Sequence, residues 1–461
     1  MDNFRKAIEI IEKYSFELFG ISGHQFRKMG LSHLFYDLSI VFLFSKIVSN
    51  NQEINSIDFF SYYEQLIKSK YFETSPHYKI FCNTLNILTN INQELESRYN
   101  TKELKLLSDR HGKSQYKTHI GDEVISKSGL SVEKFISLFL EVYPMFSKYF
   151  YEFKIKSDLV IRKFINSSND INDLKKYYFS LGEVLGIVYF IKAVDIISEN
   201  LLNDESELPR LFDLDFVMYP DINPERKYTV ESSGILSSES KFNNSSTFAG
   251  AFEKVSVLRP FLVSEEDIMK IKWINIVDKQ DLAYPSGMKN KHPFIYLDDF
   301  ISGFSSAYNV LENNRICFTN KITSLDFNTR YIVRSTSQYR FAIMKSLYSK
   351  FDKSNNLSTE LKKILGELNI ANKDYLFIDK LIEYEVNFLQ DFSYPFYYVN
   401  SLKSEIFSSD SKIVGNLGNT PMQLYLEHLN NFPKNFQNSI ETIKTIYNIN
   451  YSEWLKLKQA Q

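Results

Sequence analysis

Cysteine is scarce in this chain of 461 residues, which contains two, Cys82 and Cys317. Two thiols are too few for a disulfide framework or for a zinc site built from cysteines. Because proteins without disulfides are typical of reducing compartments, the sequence predicts a cytoplasmic protein.

A strong net charge and a long apolar run are also absent. The chain has 54 basic and 56 acidic residues, a formal net charge of -2, which excludes the basic character of a typical nucleic-acid binder. The most apolar segment, residues 34–48, is interrupted by Asp37 and Lys46 and is too short to span a bilayer. The first residues, MDNFRKAIEIIEKY, lack the apolar core of a signal peptide. We therefore expect neither a nucleic-acid partner nor a membrane partner.

Apolar and aromatic residues are abundant. They make up 44% of the chain, with 30 Tyr and 39 Phe, and this predicts a large packed core and more than one domain or lobe. Helical texture dominates residues 1–106, which we predict to be a helical N-terminal cap, and residues 107–461 form the second predicted domain. The cap begins with apolar residues at helical spacing: Phe4, Ile8, Ile11, Tyr14 and Leu18.

Polar residues appear abruptly after a predicted buried helix at residues 185–194. Asp195 and Asn200 come first, and an acidic loop then leads to a run of strand-forming residues that contains Asp213 and Asp215. Because side chains alternate along a strand, the last two carboxylates are expected on one face.

This order of residues is kinase-like: an Asp, an Asn five positions later, a short loop, and an apolar run with another Asp. In phosphoryl transfer one carboxylate orients the accepting hydroxyl, while an amide oxygen and a second carboxylate hold magnesium. The alternative is that Asp195 and Asn200 only cap a helix end and that the second pair only borders a strand.

Charge, glycine and histidine crowd together at residues 108–113, before a predicted hairpin at 116–127. Asp109 and His111 could form an acid/base pair, because a carboxylate fixes the imidazole tautomer and raises its basicity. Lys127 is the candidate for the strand-borne lysine that nucleotide phosphates require. The alternatives are a solvated turn and a surface lysine. Further helices are predicted at 130–156 and 171–181.

Two features follow the central stretch. Residues 228–246 are rich in Ser and Asn, and we predict a mobile loop beside a site. Arg330, Arg334 and Thr336 then place two guanidinium groups and a hydroxyl within seven residues, a set that suits a phosphate. The alternative is an arginine pair in surface ion pairs.

Taken in order, these motifs resemble the dehydratase domain of class II lanthipeptide synthetases. The resemblance covers roughly residues 107–447 and depends on motif order. Its motifs are SDRH at 108–111, ISK ending in Lys127, DIISEN at 195–200, FDLDF at 212–216, GFSSAY at 303–308, RSTSQY at 334–339, and Glu385 with the segment 391–397. Two positions depart from the family pattern: Ile197 stands where a histidine is usual, and Asp215 where a glutamate is usual.

The resemblance implies an α+β, helix-rich fold with a bilobal core similar to lipid and protein kinases. It implies a peptide dehydratase of ribosomal peptide natural-product biosynthesis. With ATP and Mg2+, such an enzyme phosphorylates Ser and Thr of a precursor peptide (leader plus core) and eliminates phosphate to give dehydroalanine or dehydrobutyrine. The implied roles are nucleotide and metal binding by Lys127, Asn200, Asp213 and Asp215, hydroxyl orientation by Asp195, phosphate binding by Arg330 and Arg334, and elimination by Arg330, Thr336, Asp109 and His111.

Three alternatives stay open. Ile197 could mark a phosphoserine/phosphothreonine lyase with a degenerate kinase site, or the chain could be a non-catalytic scaffold that binds a precursor, or a kinase for another substrate. No cluster of Cys and His for a zinc-dependent cyclase follows the dehydratase-like part. The expectation is therefore a stand-alone dehydratase, with a separate cyclase or other tailoring enzyme as a further partner.

Overall fold

The fold is helix-rich with small antiparallel sheets, which confirms the predicted α+β class. The computed structural model describes residues 2–19, 21–23, 27, 31–50, 59–99, 105–107, 116–120, 123–127, 130–156, 159–163, 168, 170–196, 200–212, 214–220, 228–236, 255–265, 268–278, 285, 288, 292–348, 357–370, 373–390 and 393–459. Within these residues no helix is long and apolar enough to cross a membrane.

Helices form the N-terminal part, as predicted. They are α1 (Asp2–Phe19), α2 (Leu31–Asn50), α3 (Phe59–Ile67), α4 (Lys70–Glu73) and α5 (Pro76–Tyr99). Ile11 is buried, and Ile8, Tyr14 and Leu18 pack partly buried against the same core, so the predicted apolar stripe of α1 is confirmed there.

The core of these N-terminal helices is not made by them alone. It includes Tyr339, Ile343 and Leu361 from two helices far along the chain, α10 (Thr336–Tyr348) and α11 (Leu357–Glu367). A cap limited to residues 1–106 therefore stays a prediction, since its apolar contacts continue into the second predicted domain.

A five-stranded antiparallel sheet follows, in the order β1-β2-β3-β5-β4. Its strands are β1 (Lys105–Leu107), β2 (Tyr116–Ile120), β3 (Glu123–Lys127), β4 (Phe153–Lys156) and β5 (Leu159–Lys163). The predicted hairpin is confirmed with Tyr116 opposite Lys127.

Helix α6 (Val132–Val142) lies between β3 and β4. The predicted helix at 130–156 is right for this part and wrong for the rest. A 3-10 turn starts at Pro144, which has no N–H to continue the α-helical bonds, and the last four residues form β4.

Two helices cross closely in the main core. α7 (Leu174–Phe190) merges the two helices predicted at 171–181 and 185–194, and α8 (Leu297–Asn313) packs across it. A Cβ on Gly182 would lie 2.0 Å from the Phe300 carbonyl oxygen, and a Cβ on Gly303 would lie 1.8 Å from that of Phe179. Neither position has room for a side chain.

Further strands and helices follow β5 along the chain. They are β6 (Leu201–Asn203), β7 (Pro209–Leu211), β8 (Val255–Glu265), β9 (Ile268–Asp278), α9 (Arg315–Ile322), β10 (Asn328–Tyr331), α12 (Ile378–Leu389), β11 (Tyr397–Asn400), β12 (Glu405–Ser408), β13 (Ile413–Asn416), α13 (Pro421–Asn431) and α14 (Phe436–Gln459). Strands β10 to β13 form a four-stranded antiparallel sheet in chain order.

We expect Gly303→Ala to lower the free energy of unfolding by at least about 1–3 kcal/mol, because the added methyl group collides with backbone. Gly366→Ala is the matched control: Gly366 lies in α11, and a Cβ there meets nothing within 4 Å. The control should be neutral or more stable by about 1 kcal/mol, since alanine favours a helix. Equal urea midpoints for the two variants would contradict the close helix crossing.

Candidate active site

Residues 214–219 form the centre of the candidate site and lie against the end of α7. The amide of Val194 donates to the carbonyl of Phe216 (3.2 Å), and the amide of Met218 donates to the carbonyl of Ile191 (3.0 Å). Because Asp195 directly follows Val194 in the chain, these bonds hold residues 214–219 next to Asp195.

Strand β10 holds the same segment from the other side. The Thr329 side chain is fully buried, and its hydroxyl lies 3.0 Å from the Asp215 carbonyl oxygen and 2.8 Å from that of Val217. The same hydroxyl accepts the Val217 N–H (3.2 Å), and the Arg330 N–H donates to the Asp215 carbonyl (2.9 Å). One threonine thus satisfies much of the buried backbone at this point.

The predicted strand that starts at Arg210 and contains Asp213 and Asp215 is right for Arg210 and Leu211 and wrong for the described residues beyond them. β7 pairs with β6 and ends at Leu211. Beyond Leu211 the backbone makes hydrogen bonds to the end of α7 and to β10, and it does not continue the pairing with β6. Asp215 therefore lies in irregular chain, and Asp213 lies outside the described residues.

Arg330 and Asp215 form the charged pair of the site. Their nearest side-chain nitrogen and oxygen are 3.9 Å apart, and the two side chains keep 20% and 24% of their surface exposed. The guanidinium carbon lies 4.9 Å from the ring centre of Phe216 and 5.5 Å from that of Phe396. Two aromatic faces thus support a cation that still reaches solvent.

The predicted Asp195 and Asn200 are joined by a hydrogen bond from a side chain. The Asn200 amide nitrogen donates to the Asp195 carbonyl (2.7 Å), and the Phe212 N–H donates to the Asn200 carbonyl (2.8 Å). Asp195 has a φ of +65°, a left-handed conformation that is uncommon for residues other than glycine and that often occurs at functional sites. Ile197 lies outside the described residues.

A comparison with sequence models of protein families gives a match to the family described as "Domain of unknown function (DUF4135)", over residues 162–400. This is more than half of the chain. The chain belongs to the DUF4135 family. The family description assigns no activity, and a search of curated proteins finds no match.

The DUF4135 match contains part of the candidate set. Seven candidate residues lie within it: Asp195, Asn200, Asp213, Asp215, Arg330, Arg334 and Thr336. Three precede it: Asp109, His111 and Lys127. Lys127 is the last residue of β3, and its side chain lies outside the described residues, as do Asp109 and His111 entirely. Their roles stay predictions.

Arg334 was predicted to bind phosphate, and the structure contradicts this. Its side chain is fully buried, and its Nε donates to both carboxylate oxygens of Glu385 (2.9 and 3.2 Å). Its two remaining nitrogens donate to the carbonyls of Leu365, Leu368 and Asn369. The guanidinium is therefore occupied in linking α10, α11 and α12 and has no access to a ligand.

Glu385 is the centre of that buried cluster. It also accepts a hydrogen bond from the Tyr339 hydroxyl (2.8 Å). Burial raises the pKa of its carboxyl, and Arg334 and Tyr339 oppose this by favouring the charged form. Arg334, Tyr339 and Glu385, three positions of the resemblance, thus serve to hold helices together.

Thr336 is the first residue of α10 and is partly exposed. Thr336 lies within the turn closed by Ser335 and Gln338, since the Gln338 N–H donates to the Ser335 hydroxyl (3.2 Å) and the Ser335 N–H to the Gln338 amide oxygen (2.9 Å). The Thr336 hydroxyl is thus at a helix start, six residues after Arg330.

Residues 228–236, the described part of the predicted mobile loop, are instead a packed turn. A 3-10 turn at Val230–Ser233 ends at Gly234, and Ile235 and Leu236 are fully buried. This part lies close to Asp195, because the Ile196 N–H donates to the Ser233 carbonyl (2.9 Å). Residues 237–246 lie outside the described residues.

Three contributors were missed by sequence reasoning: Thr329, Phe216 and Phe396. Phe216 and Phe396 lie inside the quoted segments 212–216 and 391–397 but were given no role there, and Thr329 directly precedes Arg330; their contacts join segments far apart in sequence. Among the described residues, no group of three or more His, Cys, Asp and Glu side chains could hold a metal ion. The predicted metal ligand Asp213 lies outside that part of the chain, so the magnesium prediction is untested.

We expect Arg334→Met to lower the free energy of unfolding by about 3–5 kcal/mol, because Glu385 is left as a buried carboxylate without its cation. Arg330→Met is the control from the same segment, because the ion pair of Arg330 with Asp215 is long and partly exposed. It should lower the free energy of unfolding by at most about 1 kcal/mol. If Arg334→Met fails to fold, Arg334→Met combined with Glu385→Gln should recover folded protein, since the buried charge is gone. Similar urea midpoints for Arg334→Met and Arg330→Met would contradict the structural role of Arg334.

Proposed function

We propose that the chain is a peptide dehydratase that phosphorylates Ser and Thr in a precursor peptide and then eliminates the phosphate. The five-stranded sheet has the order β1-β2-β3-β5-β4, and α6 lies between β3 and β4 in the chain. This arrangement supports a kinase-like small lobe. Helices α7 and α8 follow it, as the helical lobe of a bilobal core would. A separate cyclase would act on the product.

The observation that carries the proposal is the contact between Asp215 and Arg330. Asp215 belongs to the residues expected for phosphorylation and Arg330 to those expected for elimination. The bonds between the Val194 and Phe216 backbones keep Asp195 close to both. One site would therefore add a phosphate and remove it, without release of the phosphopeptide.

For phosphorylation, Asp195 would orient the peptide hydroxyl and accept its proton. The hydrogen bond from the Asn200 amide nitrogen to the Asp195 carbonyl restrains the backbone that carries that carboxylate. Asn200, Asp213 and Asp215 offer only oxygen ligands, which suit Mg2+, and Lys127 would bind the nucleotide phosphates. When bound, ATP with magnesium supplies the phosphoryl group.

For elimination, the Cα–H bond breaks, its electron pair forms the Cα–Cβ double bond, and the Cβ–O bond breaks to release phosphate. Arg330 would stabilise the charge on the departing phosphate, and Thr336 would donate a hydrogen bond to it. The Asp109 and His111 pair would move the α-proton. The aromatic support from Phe216 and Phe396 suits this role, since it orients Arg330 without neutralising it.

A lyase that receives phosphopeptide from another enzyme is the second candidate. It is favoured by Ile197, which stands where the resembling family has histidine and can neither donate a hydrogen bond nor a proton. Dehydration of synthetic phosphopeptide without any dehydration of the unphosphorylated peptide, even with ATP, would support the lyase over the dehydratase.

We expect Arg330→Ala and Thr336→Ala each to reduce elimination by about a hundredfold or more, because each removes a contact to the leaving phosphate. Co-expression with a precursor peptide from a neighbouring gene, followed by intact mass, should give phosphorylated peptide with little loss of water. Arg315→Ala is the control, since Arg315 pairs with Glu312 on the α8–α9 turn. Normal dehydration by the Arg330 and Thr336 variants would refute their assignment.

A further inference from the structure

A polar groove lies between the start of α6 and the four-stranded sheet, with a volume of about 450 Å³. The α6 side provides Ser131 and Lys134, and the sheet side provides Asn328, Tyr398 and Lys403. This volume is in the range of small-ligand sites, but hydrogen-bonding side chains predominate, which suits a peptide backbone better than an apolar ligand.

The groove begins beside Arg330. Asn328 and Arg330 are two apart on β10 and share the half-exposed face, while Thr329 between them is buried. Across the ladder Arg330 lies opposite Tyr398, and Asn328 lies opposite Asn400. Since residues two apart on a strand are separated by about 6.6 Å, the groove starts within one such step of the Arg330 side chain.

The floor of the groove is held in place by its own hydrogen bonds. The Asn400 amide nitrogen donates to Asp326 (2.6 Å) and to the Asn328 amide oxygen (3.0 Å), and the Ser131 hydroxyl accepts the Asn328 N–H (3.1 Å). These contacts join α6 to β10 and give the groove a defined shape.

The rim of the groove is cationic. Lys134 and Lys403 are exposed, and Asp326 is the carboxylate among the lining residues. Two ammonium groups against one carboxylate give a charge of +1. The Tyr398 and Phe407 rings stack with centres 5.4 Å apart and form an aromatic wall.

We propose that this groove binds an extended segment of the peptide substrate and prefers an acidic side chain two residues from the Ser or Thr that is modified. The inference rests on the proposed function for the identity of the peptide and of the modified residue. An extended peptide with its phosphorylated side chain at Arg330 directs the side chain two residues away to the same side, toward Asn328, Lys134 and Lys403.

The test uses alanine-based heptapeptides with a central phosphoserine and either glutamate or lysine at both positions two residues away. We expect the wild-type protein to eliminate phosphate from the glutamate peptide with a KM about three- to tenfold lower, at similar kcat. Lys134→Glu with Lys403→Glu should abolish or reverse this preference, because exposed ion pairs contribute modestly and depend on charge sign. Lys444→Glu, on α14, is the matched control and should keep it.

Binding of the same peptides, fluorescently labelled and measured by anisotropy, tests the groove proposal separately from the proposed dehydratase function. If no peptide is turned over but the glutamate preference in binding persists and is lost in the double lysine variant, the groove stands and the proposed function fails. If the wild type turns over both peptides with equal KM, or if the double variant keeps the preference, the groove proposal is overturned. Displacement of either labelled peptide from the groove by ATP, with no effect of peptide charge, would also overturn it.

Discussion

The candidate site depends on how the backbone of residues 214–219 satisfies its polar groups. Most of this segment is buried and it belongs to no sheet, so its amides and carbonyls need partners elsewhere. The end of α7 supplies some, and the buried hydroxyl of Thr329 supplies others. Loss of that arrangement would free Asp215 from Arg330 and separate both from Asp195.

Two arginines four residues apart have opposite surroundings. Arg330 is on the half-exposed face of β10 between two aromatic rings, with a carboxylate at 3.9 Å. Arg334 is just before α10, fully buried, and bound by a carboxylate and three carbonyls. A short sequence motif cannot predict which of the two arginines is buried, because the partners of Arg334 are Glu385 and the end of α11, far along the chain.

The sequence predicted local features well where periodicity was strong. The apolar stripe of α1, the hairpin from Tyr116 to Lys127 and the buried helix before Asp195 follow from residue spacing. Prediction was poorer where the chain is irregular. Strand-forming residues around Asp215 form no strand, and the stretch at 228–236 packs as a partly buried turn, since neighbours in space determine both.

The resemblance implied the α+β class, and residue order alone determined the helical start and the place in the chain where carboxylate, amide and guanidinium groups concentrate. These properties arise from side-chain spacing and composition, which act over short distances. Only the tertiary structure decided that Asp215 lies beside Arg330, that Arg334 links helices, and that a cationic groove continues from the site. Each of these depends on which distant segments share a hydrogen bond or an apolar contact, and such pairings are properties of the folded chain.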